Sequence, residues 1–419
     1  MIISDQTSPD ATQMTSNLAS VTSNHCPVDH AQFKTKRVAQ HNGQPIWQDA
    51  DGIWQVQGYD EARIVLRSLN TRQAGFKAEF QERFPDSMRR PILYLEGTTH
   101  LEQRKQTARF FTPKAVSAYR PIMDEVASGL ISQLKQDKRA NLRDLNLSMA
   151  MRVVSEVVGL TNSRLPGIAK RLDVFLSNEE SLIKTPLGKK LRLLRTRLSV
   201  LLFFYLDVQP SIRARQCQPK EDLISYLLTQ NYKDWEIFTE CVTYGAAGMV
   251  TTREFMALAL WHLLEQPNLR ARYMQAGETE RHAILQEILR LEPIVAQLKR
   301  RAQSDIIVNS NGKEFVIHAN DLVIVNVQEV NVDETLVGAD AQAICPMREM
   351  HKQVVMPSVI SFGDGHHRCP GAYVSLQETD VLLRHLLALP GLRIERAPDV
   401  GWSETASGPE LHNFIIAVD

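Results

Sequence analysis

The stretch from Asp234 to Glu265 constrains the fold more than any other part of the chain. It is long, and apolar residues run around much of its circumference, as in CVTYGAAGMV and FMALALWHLL. A helix of that kind has no solvent face and must be covered on all sides. Apolar residues at three- and four-residue spacing predict the covering helices at 60–69, 99–111, 114–135, 145–158, 165–176, 189–206, 220–228 and 278–291, with an amphipathic segment at 373–389. Short β-like runs lie at 306–308, 315–317, 322–327, 392–395 and 414–418. No repeat or long linker breaks the chain. The expected fold class is mainly α with a minor β-sheet region, in a single domain over 34–419. Residues 1–33 lack Lys and Arg and are rich in Ser, Thr, Asn and Gln, so they read as a disordered lead rather than a signal peptide. The mixed segment from Asn70 to Gly97 reads as a long functional loop.

Composition excludes several function classes. Of 419 residues, 43% are hydrophobic, enough for a large core, and the formal net charge is zero. There is no basic excess to neutralise phosphates, so no nucleic-acid partner is expected. The most apolar run, Leu198 to Leu206, is far shorter than the ~20 residues a bilayer span requires. No membrane partner is expected, and the chain reads as a soluble, cytoplasmic monomer. The five cysteines (26, 217, 241, 345 and 369) are odd in number, widely spaced and without a CxxC pair. That argues against a disulfide scaffold or zinc knuckle and for a reducing compartment.

Chemistry concentrates in FGDGHHRCPGA, Phe362 to Ala372. It follows the apolar run 359–361 and precedes the amphipathic segment, so it reads as a strand end, a glycine loop and a helix start. A lone cysteine there sits among unpaired N–H groups and the positive end of the helix dipole, and both favour thiolate. Gly363, Gly365 and Gly371 allow sharp turns and close approach to something flat. His367 and Arg368 add donors. The loop alone leaves three readings: a nucleophile with His367 as base, a thiolate metal ligand, or a buried cysteine in a tight turn.

The stretch resembles the heme-binding loop of the cytochrome P-450 family, FGxGxHxCxG, at Phe362, Gly363, Gly365, His367, Cys369 and Gly371. Glu287-Ile288-Leu289-Arg290 resembles the family's ExxR element; three apart, Glu287 and Arg290 share a helix face and can form a buried ion network. His100 and Arg104, one turn apart, resemble a pair that binds heme propionates, and Arg300 resembles a third propionate ligand, with Arg301 adjacent. Asn331-Val332-Asp333 and Arg348 loosely resemble the meander before the loop, with Arg348 expected beside Glu287 and Arg290.

The resemblance implies the P-450 fold around heme b (iron protoporphyrin IX). It implies Cys369 as axial thiolate, His367 at a propionate, Phe362 on the thiolate side of the ring, and His366 exposed. On the oxygen side, Ala247-Gly248-Met249-Val250-Thr251-Thr252 departs from Ala/Gly-Gly-x-Asp/Glu-Thr-Thr, because valine holds the acid position. Thr252, with Thr251 and Gly248, is expected to do the oxygen-side work. Glu254 lies about 200° round the helix from Thr252 and is a poor substitute acid. Tyr244, Ala247, Gly248, Ile294 and Val295 are expected to line a substrate pocket closed by 70–97, 176–190, 294–298 and 405–410. The implied activity is a monooxygenase acting on a medium-sized, largely apolar small molecule. Its electrons would come from a separate ferredoxin or flavodoxin-type donor with its reductase. Such a donor is expected at Lys105, Arg109, Lys114, Arg348, Lys352 and Arg368. Two alternatives stand beside this reading: a peroxide-using or oxidative-coupling relative, which Val250 motivates, and a non-enzymatic heme sensor or carrier.

Overall fold

The computed structural model describes residues 33–35, 43–76, 78, 89–176, 185–351 and 356–419. The N-terminal lead lies outside the described residues except at its end, where Phe33 packs against the main core.

The central helix runs from Asp234 to Glu265. The Glu236 carboxylate accepts the Lys233 N–H at 2.8 Å and caps its first turn. Every residue from Phe255 to Leu263 is buried, as its all-round apolar surface requires. The helices Leu142–Val158, Ala372–Leu387 and Glu278–Leu291 pack around it. The Leu142–Val158 helix is capped by the Asn141 side chain on the Arg143 N–H and stops at Gly159, whose φ of 97° suits glycine. Pro113–Asp137 starts with Thr112 as cap and proline in its first turn. Asp380 then ties three helices together, accepting from the Tyr273 hydroxyl at 2.6 Å and from Arg281 at 2.7 and 2.8 Å.

Among the described residues two helices longer than a single turn were not expected, Gln209–Cys217 and Pro267–Gln275. Both are short and polar, so apolar periodicity is faint, but each has proline in its first turn, which is a start signal in its own right. The helix expected at 189–206 runs Pro186–Phe203 and continues as a π-helical turn, Phe204–Val208.

The main sheet has five strands in the order Ile46–Gln48, Trp54–Val56, Leu322–Asn326, Gln297–Ala302, Thr71–Gln73. Only the 322–326 strand was legible. Gln297–Ala302 reads QLKRRA and becomes a strand because both flanks are paired, Arg300 lying opposite Val323 on one side and Gln73 on the other. The run 359–361 is not a strand. Val359 has φ 54°, and the chain closes turns there through Ser361 N–H to Ser358 O (3.1 Å) and Gly363 N–H to Ile360 O (2.8 Å). Cys217, Cys241 and Cys369 are free. Cys345 is disulfide-bonded, to a partner outside the described residues, so one link exists where the spacing suggested none.

Glu287 and Arg290 form the expected buried pair, at 2.6 and 3.0 Å. Arg290 also donates to the carbonyls of Asn331, Ala341 and Ala343. Glu287 accepts the Cys345 N–H at 2.8 Å and Arg348 at 3.4 Å. Removing one partner strands a buried charge. Arg290→Ala should therefore lower unfolding free energy by about 3–5 kcal/mol in a denaturant titration. A loss under 1 kcal/mol would show that the network is not a clamp.

Candidate active site

The 362–371 loop is held on both sides. The Cys369 N–H bonds Phe362 O at 2.8 Å and closes it. Asp364 caps the Gly365 N–H and pairs with Arg67 at 2.9 Å, fastening the loop to the Tyr59–Arg67 helix. Gly365 has φ 69°, and a Cβ there would come within 2.3 Å of Leu66 O, so only glycine fits. Phe362 packs on the main core. Cys369 stays accessible although protein surrounds it. Burial pushes its thiol up, against the Gly371 N–H, Arg104 and Arg368, which pull it down.

His100 and Arg104 lie on Gly97–Thr107. His100 is buried, stacks on His367 with centroids 4.2 Å apart, and has no hydrogen-bond partner at Nδ1 among the described residues. Burial, then His367 and Arg104, drive it down to about 3, so it is neutral. Arg104 donates to Arg368 O. Its guanidinium feels both Tyr244 and Cys369, which places it between the central helix and the loop, and burial lowers its pKa. Arg300 is the inward residue of its pair, since Arg301 turns out to Asn320 O. It bonds Gln73 Oε1 and Lys299 O, its Nε has no partner among the described residues, and burial holds it down to about 10.

Sequence reading missed Glu96, the cap of the His100 helix, four residues before His100. That spacing was the available signal. Its carboxylate takes the Gln73 N–H at 2.8 Å, His367 Nε2 at 2.9 Å and His366 Nε2 at 3.6 Å. Burial works to raise it, but the bonds to His366 and His367 outweigh that and bring it to about 2. His366, expected to be exposed, has a buried side chain because it shares this carboxylate.

On the central helix, Tyr244 is buried and stacks on Phe111 at 6.0 Å. Thr251 lies with Ala247 on the more open face, and its hydroxyl donates to Ala247 O at 2.6 Å. Thr252 differs from expectation. It is buried, turned from that face toward Ser375 Oγ at 3.4 Å and the Glu378 carboxyl. Residues 244, 247 and 251 share a face at about 100° per residue, which explains the placement, whereas Gly248, expected beside them, backs onto the Leu142–Val158 helix, where a Cβ would meet Val154 at 2.9 Å. Glu378 was missed because the helix bearing it, Ala372–Leu387, reads as core. Burial raises its carboxyl well above the ordinary value, opposed by the Thr252 hydrogen bond. Glu254 is structural, bonded to Arg253 at 2.8 Å and the Leu411 N–H at 2.8 Å.

Ile294 is buried and Val295 is half-buried, next to the C-terminal hairpin, where Ser407 O accepts the Ala296 N–H at 2.9 Å. Residues 79–88 and 177–184 of the expected closing segments lie outside the described residues, as does Lys352. Lys105, Arg109 and Lys114 are exposed, but Arg348 is occupied by the Glu287 network and is not a surface charge.

An exposed cysteine, a buried and a half-buried guanidinium with no ion-pair partner among the described residues, and an orphaned imidazole nitrogen suit a flat, dianionic, metal-bearing group. The cytochrome P450 family model matches residues 281–389, which hold the Glu287 pair and the Cys369 loop. Cytochrome P450-SOY of Streptomyces griseus is 24% identical over 386 residues, 88% of this chain and 86% of that protein. In sequence and in fold the chain is similar to cytochrome P450s. Nocardicin C N-oxygenase of Nocardia uniformis subsp. tsuyamanensis is 26% identical over 84% of this chain and 86% of its own length. The crystal structure of CYP109E1 from Bacillus megaterium in complex with corticosterone superposes with a TM-score of 0.70 at 20% identity, covering 90% of this chain and 95% of that one, and so shares the fold.

The central helix carries a further buried acid. Glu240 accepts the Ile92 N–H at 3.0 Å and Gln103 Nε2 at 2.9 Å, and burial pushes it up to about 7 against those bonds. An unfolded Glu releases its proton near 4.5, whereas folded Glu240 keeps it to about 7. Stability is therefore full below pH 4.5 and falls as pH rises to 7, by about 3 kcal/mol. Glu240→Gln should flatten that slope in denaturant melts taken across the range. An unchanged slope assigns it to another group.

Proposed function

We propose that this protein oxidises a medium-sized, largely apolar organic molecule, using dioxygen and electrons from a separate ferredoxin or flavoprotein. Cys369 would hold the heme iron through its sulfur, and His100, Arg104, Arg300 and His367 would hold the propionates. The observation that carries this reading is the pair of desolvated guanidiniums, half-buried Arg104 and buried Arg300, beside an accessible cysteine. Bound heme supplies the redox chemistry of oxygen transfer. The Gly371 N–H tunes the sulfur. Glu96 fixes the His367 ring, while His100 Nδ1 and the Arg300 Nε, without partners among the described residues, remain for a carboxylate.

The Tyr244–Ala247–Thr251 face forms the roof of the reaction space, with Ile294 and Val295 at its side. Val250 cannot hold a proton at the usual acid position. Buried Glu378, kept protonated by burial beside Thr252, can hold one. This favours oxygen activation over the peroxide-using alternative.

The test starts with Cys369→Ala, which should remove the red-shifted Soret band of the reduced, carbon monoxide-bound protein. Survival of the band assigns the ligand elsewhere. Arg104→Ala with Arg300→Ala should lose heme to apomyoglobin far faster than the natural protein, since each charge-assisted bond contributes about 1.5–3 kcal/mol. Equal retention would sink the propionate assignment.

For the proton route, Glu378→Gln should lower product per NADPH consumed at least about tenfold while substrate-induced spectral shifts stay the same. Thr251→Val should do likewise. Unaltered coupling in both would leave the alternative reading standing.

A further inference from the structure

The Leu198–Leu206 run plays no part in the heme site. From Pro186 to Leu206 the chain contains no Asp or Glu, but has Lys189, Lys190, Arg192, Arg195 and Arg197. The helix turns Ser199 and Phe203 inward, and the Ser199 hydroxyl donates to Arg171 O at 2.7 Å. Its outer side presents Leu191, Leu194, Leu198, Leu201 and Leu202, each between 39% and 66% exposed. At about 100° per residue they form one stripe roughly 100° wide. The stripe runs on into exposed Tyr205 at the π-helical turn, and Phe204 joins Tyr205 (5.0 Å) to exposed Trp235 (6.0 Å). Exposed Lys190 and Arg197 flank one edge and Arg195 the other, and no ion pair among the described residues engages them.

We propose that this face docks on a bilayer surface bearing anionic phospholipid, with the helix lying in the interfacial plane. An apolar stripe edged by cations and free of acids is complementary to acyl chains beneath phosphate headgroups. Tyr205 and Trp235 at its end suit the same boundary. A second copy of the chain fits poorly, because pairing two such stripes sets Arg195, Arg197 and Lys190 against like charges. The docking requires no crossing, and no helix among the described residues is long and apolar enough to cross. The helix rests on Ile168–Leu176, which rests on the central helix. The bilayer would thus lie outside the roof of the reaction space.

The experiment is flotation of the full-length holoprotein with vesicles of phosphatidylglycerol and phosphatidylcholine, beside vesicles of phosphatidylcholine alone. The natural protein should float with the anionic vesicles, and less so at high salt. Leu194→Glu with Leu198→Glu should stay at the bottom. Arg195→Glu with Arg197→Glu should bind at least about tenfold more weakly. The carbon monoxide spectrum of each variant checks that the heme domain is intact, and Leu191→Ser with Leu201→Ser provides a milder pair if a variant loses it. A natural protein that ignores anionic vesicles, or variants that float like it, overturns the proposal. So does a dimer in light scattering that the leucine variants abolish, which would give the face to a second copy. If an acidic protein holds the natural chain but anionic vesicles do not, the bilayer is likewise ruled out.

Discussion

The Glu287–Arg290 pair sets the geometry on which the heme side depends. One guanidinium satisfies three carbonyls spread over 331–343 while its partner carboxylate holds Cys345 and Arg348. That segment has little regular structure of its own, so its backbone groups need partners from elsewhere. A charged, fully engaged pair supplies several at once. Because Asn331 also bonds Arg290 O, the Ser361 hydroxyl and the Ile360 N–H, the order extends to the start of the Cys369 loop. Position at Cys369 is therefore inherited from an ion pair in a neighbouring helix.

The electrostatics around the loop follow from burial. Arg104 and Arg300 are desolvated cations, which a protein tolerates where a negative group is to be held. Glu96 supplies part of that negative charge, and His366 and His367 share it. On the opposite wall the acids at 240, 254 and 378 are buried too, yet they differ. Glu254 has cationic partners, while Glu240 and Glu378 lean toward the neutral form. Buried carboxyls of similar depth thus take different roles according to their neighbours.

Much of this was legible before any coordinates. The central helix and the Glu287 helix match at both ends because their apolar surface is unambiguous and their ends carry acids or caps. The Cys369 loop was legible because its glycines and cysteine have few other uses at that spacing. Strand 297–302 was hidden by charged residues, since its extended form comes from partners some 25 and 227 positions away rather than from local pattern. The swap between Thr251 and Thr252 had a plainer cause. Adjacent helical residues differ by about 100° in direction, so which of two like residues faces a site depends on packing from the far side, here Ser375 and Glu378. Glu96 was overlooked because an acid before a helix reads as a cap, and it serves as one element of a charge network as well.

Asp364 fastens the loop to Arg67 across 297 positions of chain, and Leu66 O leaves no room at Gly365 for anything but hydrogen. A ribosome makes the 59–67 helix well before the loop. Until the loop follows, that helix must keep a docking surface ready for a partner that does not yet exist. Cofactor capture must then wait for the loop, and a chain truncated before it would leave the 59–67 helix with a face that chaperones can recognise.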